Sequence, residues 1–329
     1  MSKVLITTEA VRHRPGPHLA VLTDAGFEYD YPQRNVLLTE DETLAAMQGC
    51  AASLAGSEPY TDRVLAGLPE LRVISRNGVG YDRIDVAAAT RRGVAVTITP
   101  EGNHQAVAEH AMALLLAVSR SIVSYAVATR EGIWRRSDMH LQLRGKTLGI
   151  VGLGRIGRSV AQRAAAFGMR LVACETFPDA QFVARYEVDV MELDQLLATA
   201  DYVTLHTPMG PDTRELINAR TLRLMKPGSV LINTARGGLV NEDALLAALR
   251  SGHLAGAGLD VLQAEPPPAD HPLLKWPNVV VTPHIASFDT QGVEDMSVGA
   301  ARNIVDILQG RWPTGCALVN PEVKATWRR

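Results

Sequence analysis

Three polar residues stand directly behind apolar, β-branched runs: Arg236 after "LINTA", Glu265 just past "GLDV", and His284 at the end of "NVVVTP". Residues at such places can converge although far apart in sequence, because an open parallel sheet lines up the carboxyl ends of its strands along one crevice. Each residue type has a use there. An arginine fork clamps a carboxylate through paired N–H bonds and polarises a neighbouring carbonyl. A histidine exchanges protons near neutral pH, and a carboxylate on its far ring nitrogen orients it and favours its charged form. Singly, the three have plainer readings: Arg236 and Glu265 as solvated loop residues, and His284 as a hydrogen-bonded core histidine. Together they suit the transfer of a proton to or from an alcohol oxygen, which makes an alcohol when a hydride is supplied alongside.

The hydride needs a carrier, and the sequence offers a place for one. "GLGRIG", Gly152 to Gly157, follows the strand-like "TLGIV" and opens a helix in which Ile156, Val160 and Phe167 fall near helical spacing, with Gly168 as the stop. In that setting Gly152 permits a tight turn, Gly154 lets the backbone approach a pyrophosphate, and Gly157 allows close helix–strand packing. The free N–H groups at the helix start meet the phosphate charge. "RLVAC" ends at Glu175, near the offset of about 20 residues at which an acidic side chain takes a ribose hydroxyl. Thr176, Phe177 and Pro178 follow it and none is basic, so NAD is expected rather than NADP, with Arg155 the one cation inside the loop.

These motifs sit in two series of alternating strands and helices, the pattern of parallel sheets covered by helices. "KVLIT", "AASLAG", "LRVISR" and "VAVTI" form the first, separated by helical stretches such as "TEDETLAAMQGC", in which Thr39 and Glu42 have capping-box spacing. "HQAVAEHAMALLLAVSR" reads as one long helix, apolar on nearly every side. The second series begins at "KTLGIVGLGRIG" and continues through "RLVAC", "YVTLH", "SVLIN", "GAGLDV" and "NVVVT". "NEDALLAALRSG" lies among these, with Asn241 as its cap and Gly252 as its stop. "DTQGVEDMSVGAARNIVDILQG" reads as a last long helix.

Composition narrows the function classes. A chain of 329 residues suits two domains. A formal net charge of -2 gives no broad basic surface, so neither nucleic acid nor an anionic membrane is an expected partner. Cys50, Cys174 and Cys316 are odd in number and form no CxxC pair, which argues against a disulfide framework or a thiolate metal site and for the reducing cytoplasm. No metal is expected. The N-terminus lacks the regions of a signal peptide, and the longest apolar run, Ala111 to Val118, falls well short of the roughly 20 residues that span a bilayer.

The ordered motifs "RNGVGYDRID", "TPEGNHQAVAEH", "GKTLGIVGLGRIG", "LHTP", "LINTARGGLVNEDAL", "GAGLDV" with "EPP", and "VVVTPHIAS" run through almost the whole chain. The chain resembles the NAD-dependent D-2-hydroxyacid dehydrogenase family, most closely its phosphoglycerate dehydrogenase-like branch. The resemblance implies an α/β fold of two doubly wound parallel-sheet domains, in which a Rossmann NAD domain (104–286) is inserted into a flavodoxin-like substrate domain (1–103, completed by a return helix in 287–329). It implies that Arg236, Glu265 and His284 are the catalytic trio. The Gly78, Val79 and Gly80 amides, with Asn77, would hold the substrate carboxylate. Gly152, Gly154, Arg155, Ile156, Gly157, Glu175, His206, Thr207, Pro208, Thr213, Thr234, Ala235 and Asp260 would contact the cofactor. The helix near residues 104 to 120 would be an interdomain and dimer element, giving a homodimer.

The match weakens at substrate identity. Phosphoglycerate dehydrogenases place basic residues in the turn before the second N-terminal helix, whereas this chain reads "LAGSEPYTDRVL" there, and Glu58 would repel a phosphate. The family's separate C-terminal regulatory domain has no counterpart after the last helix, so serine feedback is not expected. Candidate substrates are therefore 3-phosphoglycerate, glyoxylate and hydroxypyruvate or their redox partners. Arg76, Tyr81, His104, Trp134 and Arg135 are further candidates to line the site. A corepressor-like nucleotide sensor of the same fold is the alternative outside enzymes. A formate-oxidising relative is disfavoured, because such enzymes carry glutamine at the position of Glu265.

Overall fold

The computed structural model describes residues 2–33, 37–136 and 138–327. They divide into two compact units, one comprising residues up to Asn103 together with those from Ser287 onward, the other His104–Ala286. In the first, β1 (Lys3–Ile6), β2 (Glu28–Asp30), β3 (Cys50–Ala55), β4 (Val73–Arg76) and β5 (Ala95–Thr97) form a parallel sheet in the order β2-β1-β3-β4-β5. The period-two alternation of strands is visible in β1. Val4 and Ile6 pack with the return helix Thr290–Leu308 through Ala300, Ala301 and Ile304, while Leu5 faces the opposite core with Leu65, Ile74 and Val96. Asp289 caps the return helix by accepting from the Gly292 amide.

The second unit holds seven parallel strands: β6 (Thr147–Val151), β7 (Arg170–Cys174), β8 (Asp189–Val190), β9 (Tyr202–Leu205), β10 (Ser229–Asn233), β11 (Leu254–Leu259) and β12 (Val279–Val281). Their order is β12-β11-β10-β9-β6-β7-β8, so the strand order reverses beside β6, where a doubly wound sheet opens its ligand crevice. Helix His104–Ser119 covers one face with Ala108, Ala111, Met112 and Leu115. Leu196, Leu245 and Leu249 from other helices cover the second. Among the described residues no single helix is long and apolar enough to cross a membrane.

Local signals survive well. The Thr39–Glu42 capping box is present, Asn241 caps helix Glu242–Arg250, and Gly252 and Gly168 take left-handed conformations just beyond helix ends. Three expectations need correction. Strands β2 and β8 have no counterpart in the sequence reading, because both are short, exposed edge strands without apolar alternation. The long apolar helix runs from His104 to Ser119 as read, but a second helix, Ile122–Arg130, that the sequence reading did not include follows it at 62°, after Ser121 with its positive φ. Phe167, expected on the packed stripe of helix Arg155–Ala166, is 44% exposed: the helix ends before it, so it leaves the course that buries Val160 and Ala164.

The glycine loop between β6 and helix Arg155–Ala166 is packed backbone to backbone. A Cβ at Gly157 would lie 2.1 Å from the Gly152 carbonyl oxygen, a contact the main chain cannot relieve. Gly157→Ala is therefore expected to destabilise the chain by about 1–3 kcal/mol, read as a lower urea midpoint. An unchanged midpoint would mean that the loop is looser than described.

Candidate active site

His284 follows β12 through Thr282 and Pro283 and has a φ of 56°, a left-handed conformation uncommon for a side chain of its size. Its N–H donates to the carbonyls of Asp260 (2.8 Å) and Thr282 (3.0 Å). The Asp260 carboxylate, with no side-chain exposure, holds both flanks of the turn. Oδ1 accepts from the Thr282 hydroxyl (2.6 Å) and the Ile285 amide (2.9 Å), and Oδ2 from the Ala286 amide (2.8 Å). Burial alone would push the Asp260 carboxyl up. The donors from His110, Thr282, Ile285 and Ala286 outweigh it and hold the group below the usual carboxylate range. Asp260 was expected to touch the cofactor; its fully buried side chain instead binds its own chain.

The His284 ring is 39% exposed, and its Nδ1 lies 2.7 Å from Glu265 Oε2. Nδ1–H donates to the carboxylate, which leaves Nε2 for a ligand. The other Glu265 oxygen accepts from the Leu262 amide (3.1 Å), so the carboxylate is fixed at both ends. Arg236 follows β10 in a loop that meets the Glu265 loop closely: a Cβ at Gly237 would stand 2.0 Å from the Leu262 carbonyl carbon. Asn233 ties that loop, donating to the Arg236 carbonyl (2.8 Å) and accepting from the Ala235 amide (3.0 Å). Arg236 itself donates to the Ala235 carbonyl at 2.7 Å. The structure thus brings together the ends of β10, β11 and β12 and the residues singled out behind them.

The glycine loop after β6 is tight at one position and open at another. Gly152, with φ 93°, presses on the His206–Thr207 peptide, where a Cβ would come within 2.8 Å. Gly154 faces open space, with nothing within 4 Å of its Cβ position. Arg155, Ile156 and Gly157 form the first turn of the following helix, whose leading amides have no partner inside the helix. His206 Nε2 lies 2.9 Å from the Thr204 hydroxyl, while His206 Nδ1 and Thr234 Oγ1 are buried without a partner. Burial holds the His206 pKa down to about 3, so the ring is neutral. Unpartnered buried polar atoms beside an open glycine turn fit a bound dinucleotide. Glu175, half-buried, accepts from the Leu153 amide (2.8 Å) and the Phe177 amide (3.0 Å), clasping the glycine loop. Thr207, Pro208 and Ala235 lie in the loops after β9 and β10. Thr213 closes its own loop, accepting from the Gly210 amide and donating to the Pro208 carbonyl, so its expected contact with a ligand finds the hydroxyl already engaged.

In the first unit Asn77 to Gly80 follow β4. Gly78, with φ 139°, is buried, and its amide donates to Thr99 Oγ1 (2.9 Å) and the Arg76 carbonyl (3.0 Å). It is not available to a substrate, which corrects the expectation of three donating amides. Among the described residues no acceptor takes the amides of Val79 and Gly80. Asn77 donates to Thr8 Oγ1 (3.1 Å) and keeps Oδ1 buried without a partner. Arg76 bridges the Ala55 and Asn77 carbonyls, and Tyr81 is exposed. Glu58 is only 4% exposed and accepts from Thr7 (2.7 Å) and Tyr60 (3.0 Å). In the second unit Trp134 is 77% exposed, Arg135 stacks over Tyr125, and His104 Nδ1 is buried without a partner.

Sequence reasoning passed over Thr282 and His110. His110 Nε2 lies 2.9 Å from Thr282 Oγ1 and 3.4 Å from Asp260 Oδ1. The available signal was a histidine on the inward side of an otherwise apolar helix, a residue that needs a polar partner wherever it is buried.

The chain has relatives among known proteins. The family model for "D-isomer specific 2-hydroxyacid dehydrogenase, NAD binding domain" matches residues 112–286. The chain is 42% identical over 294 residues to a D-3-phosphoglycerate dehydrogenase of Mycobacterium bovis, an alignment covering 87% of this chain and 55% of that protein. It is 38% identical over 300 residues to a glyoxylate reductase of Thermococcus litoralis, covering 89% and 88%. The solved TT0316 protein of Thermus thermophilus superposes with a TM-score of 0.86 at 40% identity, covering 96% of this chain and 99% of that one. The chain spans about half the length of the phosphoglycerate dehydrogenases it matches. It belongs to the D-isomer specific 2-hydroxyacid dehydrogenase family.

Proposed function

We propose that the chain is an oxidoreductase that moves a hydride between NAD(H) and C2 of a small D-2-hydroxy or 2-oxo acid. The observation that carries this reading is the 2.7 Å bond from His284 Nδ1 to Glu265 Oε2, at the strand ends of a domain with an open glycine turn. When bound, the nicotinamide supplies or accepts the hydride. In the reductive direction His284 Nε2 gives its proton to the carbonyl oxygen, and Glu265 stabilises the ring while it is charged. Arg236 clamps the substrate carboxylate and polarises the carbonyl. Written in full, 2-oxo acid, NADH and a proton become 2-hydroxy acid and NAD+. His284→Ala should lower the NADH-dependent reduction of glyoxylate by about 100- to 10,000-fold, with NADH affinity nearly unchanged by fluorescence titration. Turnover kept within a few-fold would remove His284 from the chemistry.

Short acids without a phosphate suit the first unit better than phosphorylated ones. In a flavodoxin-like strand order the ligand end lies beside β1 and β3, and there Glu58 Oε2 stands 3.1 Å from the Cβ position of Gly56. A buried carboxylate at that place repels a phosphate. Glyoxylate and hydroxypyruvate are thus the favoured substrates, with kcat/KM expected to exceed that for 3-phosphohydroxypyruvate by on the order of tenfold or more. The reverse order would overturn this choice.

NAD is favoured over NADP. Glu175 clasps the glycine loop with one lone pair on each oxygen and keeps the others for ribose hydroxyls, where a 2'-phosphate would add a second anion. The ratio of kcat/KM for NADH over NADPH should be at least about ten; a ratio near one would mean that Glu175 does not face the ribose.

We also infer a homodimer working in the cytoplasm. The compartment suits three cysteines that are all free. The dimer is supported by an exposed apolar face on helix Ile122–Arg130 and the segment after it: Ile122, Val123, Val127, Ile133 and Trp134 are each 48% exposed or more. Light scattering should give twice the mass of one chain, and Val127→Arg with Trp134→Glu should halve it. A monomeric wild-type protein would overturn the inference.

A further inference from the structure

The Thr282 hydroxyl has one proton and sits between two partners, Asp260 Oδ1 at 2.6 Å and His110 Nε2 at 2.9 Å. The shorter bond goes to the buried anion, the stronger acceptor, so Thr282 donates there and must accept from His110. His110 Nε2 therefore carries a proton, and the same atom lies 3.4 Å from Asp260 Oδ1. His110 projects from helix His104–Ser119, whose Ala108, Ala111, Met112 and Leu115 are packed into the sheet, so its place is fixed by the core of the unit. Helix, strand end and turn are joined through one oxygen pair.

We propose that His110 is a positioning residue for His284. It sets the Thr282 hydroxyl, Thr282 completes the donor shell of Asp260 Oδ1, and Asp260 holds the Ile285 and Ala286 amides that keep His284 in its left-handed turn with Nδ1 on Glu265. Without the His110 donor, the Thr282 hydroxyl keeps only its bond to Asp260, the anion loses a neighbour, and the turn that aims the His284 ring loosens. This role rests on the acid/base reading of His284 given above. It differs from that reading in being testable on the resting protein, before any substrate is known.

Two measurements decide it. In the first, His110→Ala lowers kcat for NADH-dependent glyoxylate reduction about ten- to hundredfold, the scale of a displaced catalytic group, while KM for NADH stays within about twofold. His110→Gln, whose amide nitrogen reaches the same place, restores most of the loss. His110→Ala combined with Thr282→Val is no worse than the more damaging single variant, as expected of members of one chain of hydrogen bonds. In the second, the ring 15N signals of His284, assigned by their loss in His284→Ala, move in His110→Ala and return in His110→Gln. Unchanged kcat and unmoved His284 signals in His110→Ala overturn the proposal. So does an equal loss in the Ala and Gln variants that tracks a lower thermal midpoint, which would mark a packing role. If the wild-type chain turns over no 2-oxo acid at all, the proposed function fails, and the 15N signals alone then decide the role of His110.

Discussion

The buried carboxylate of Asp260 is the constraint around which the candidate site is built. An anion removed from water is costly unless donors surround it, and this one has the Thr282 hydroxyl, two consecutive amides and His110 about it. Those donors come from both sides of His284, so satisfying the anion dictates the path of the turn. A left-handed backbone at a residue with a full side chain costs about 1–3 kcal/mol and persists only where the surroundings over-determine it. Here they do, since the His284 amide is also taken by the Asp260 and Thr282 carbonyls. The carboxyl of Asp260 is held below the usual range, so it stays ionised across the pH interval in which a histidine titrates. The clamp is thus constant across that interval.

Much of this was legible in the sequence because the signals are local. A capping box, a glycine after a helix, or a glycine loop between a strand and a helix reads from consecutive residues, and Thr39, Gly168 and Gly152–Gly157 all take the predicted conformations. Family resemblance and strand-end placement brought Arg236, Glu265 and His284 forward, and the structure sets the last two 2.7 Å apart. What escaped is what local patterns cannot carry. β2 and β8 are exposed and short, so neither has an apolar alternation to betray it. Helix Ile122–Arg130 starts after the polar stretch Ser119-Arg120-Ser121 and buries only Ala128, so no stripe packed on the core marks it. The employment of the Asp260 carboxylate depends on Thr282, Ile285, Ala286 and His110, and that of the Gly78 amide on Thr99, and no spacing rule distinguishes a group facing a ligand from one facing its own chain.

His110 shows the same limit from the other side. Its partner Thr282 is 172 residues away, and the residue sits in a helix whose sequence speaks only of burial. A polar group on a packed helix face raises the question of its partner, but the answer needs the register of two strands and the height of the helix above them. β11 and β12 pair with Gly258 opposite Val280 and Leu259 opposite Val281, which brings Asp260 and Thr282 to the same level just past the strand ends.

That register also accounts for the division of labour between the two carboxylates near His284. Asp260 continues β11 directly, so its side chain is committed to the interior, where it takes the Thr282 hydroxyl, the Ile285 and Ala286 amides and His110. Glu265 lies five residues further on, beyond the tight contact between Gly237 and Leu262, on a loop that returns to the surface with its side chain 26% exposed. One acid is placed to fix geometry and the other to meet the ring nitrogen, and exchanging their positions would satisfy neither demand. A buried anion aimed at the imidazole would have no amides to neutralise it, and a half-exposed one could not impose a left-handed turn against solvent competition. The order Asp260, Glu265, His284 along the chain therefore follows from the parallel pairing of β11 with β12, in which the strand that carries the clamp must lie beside the strand that carries the histidine.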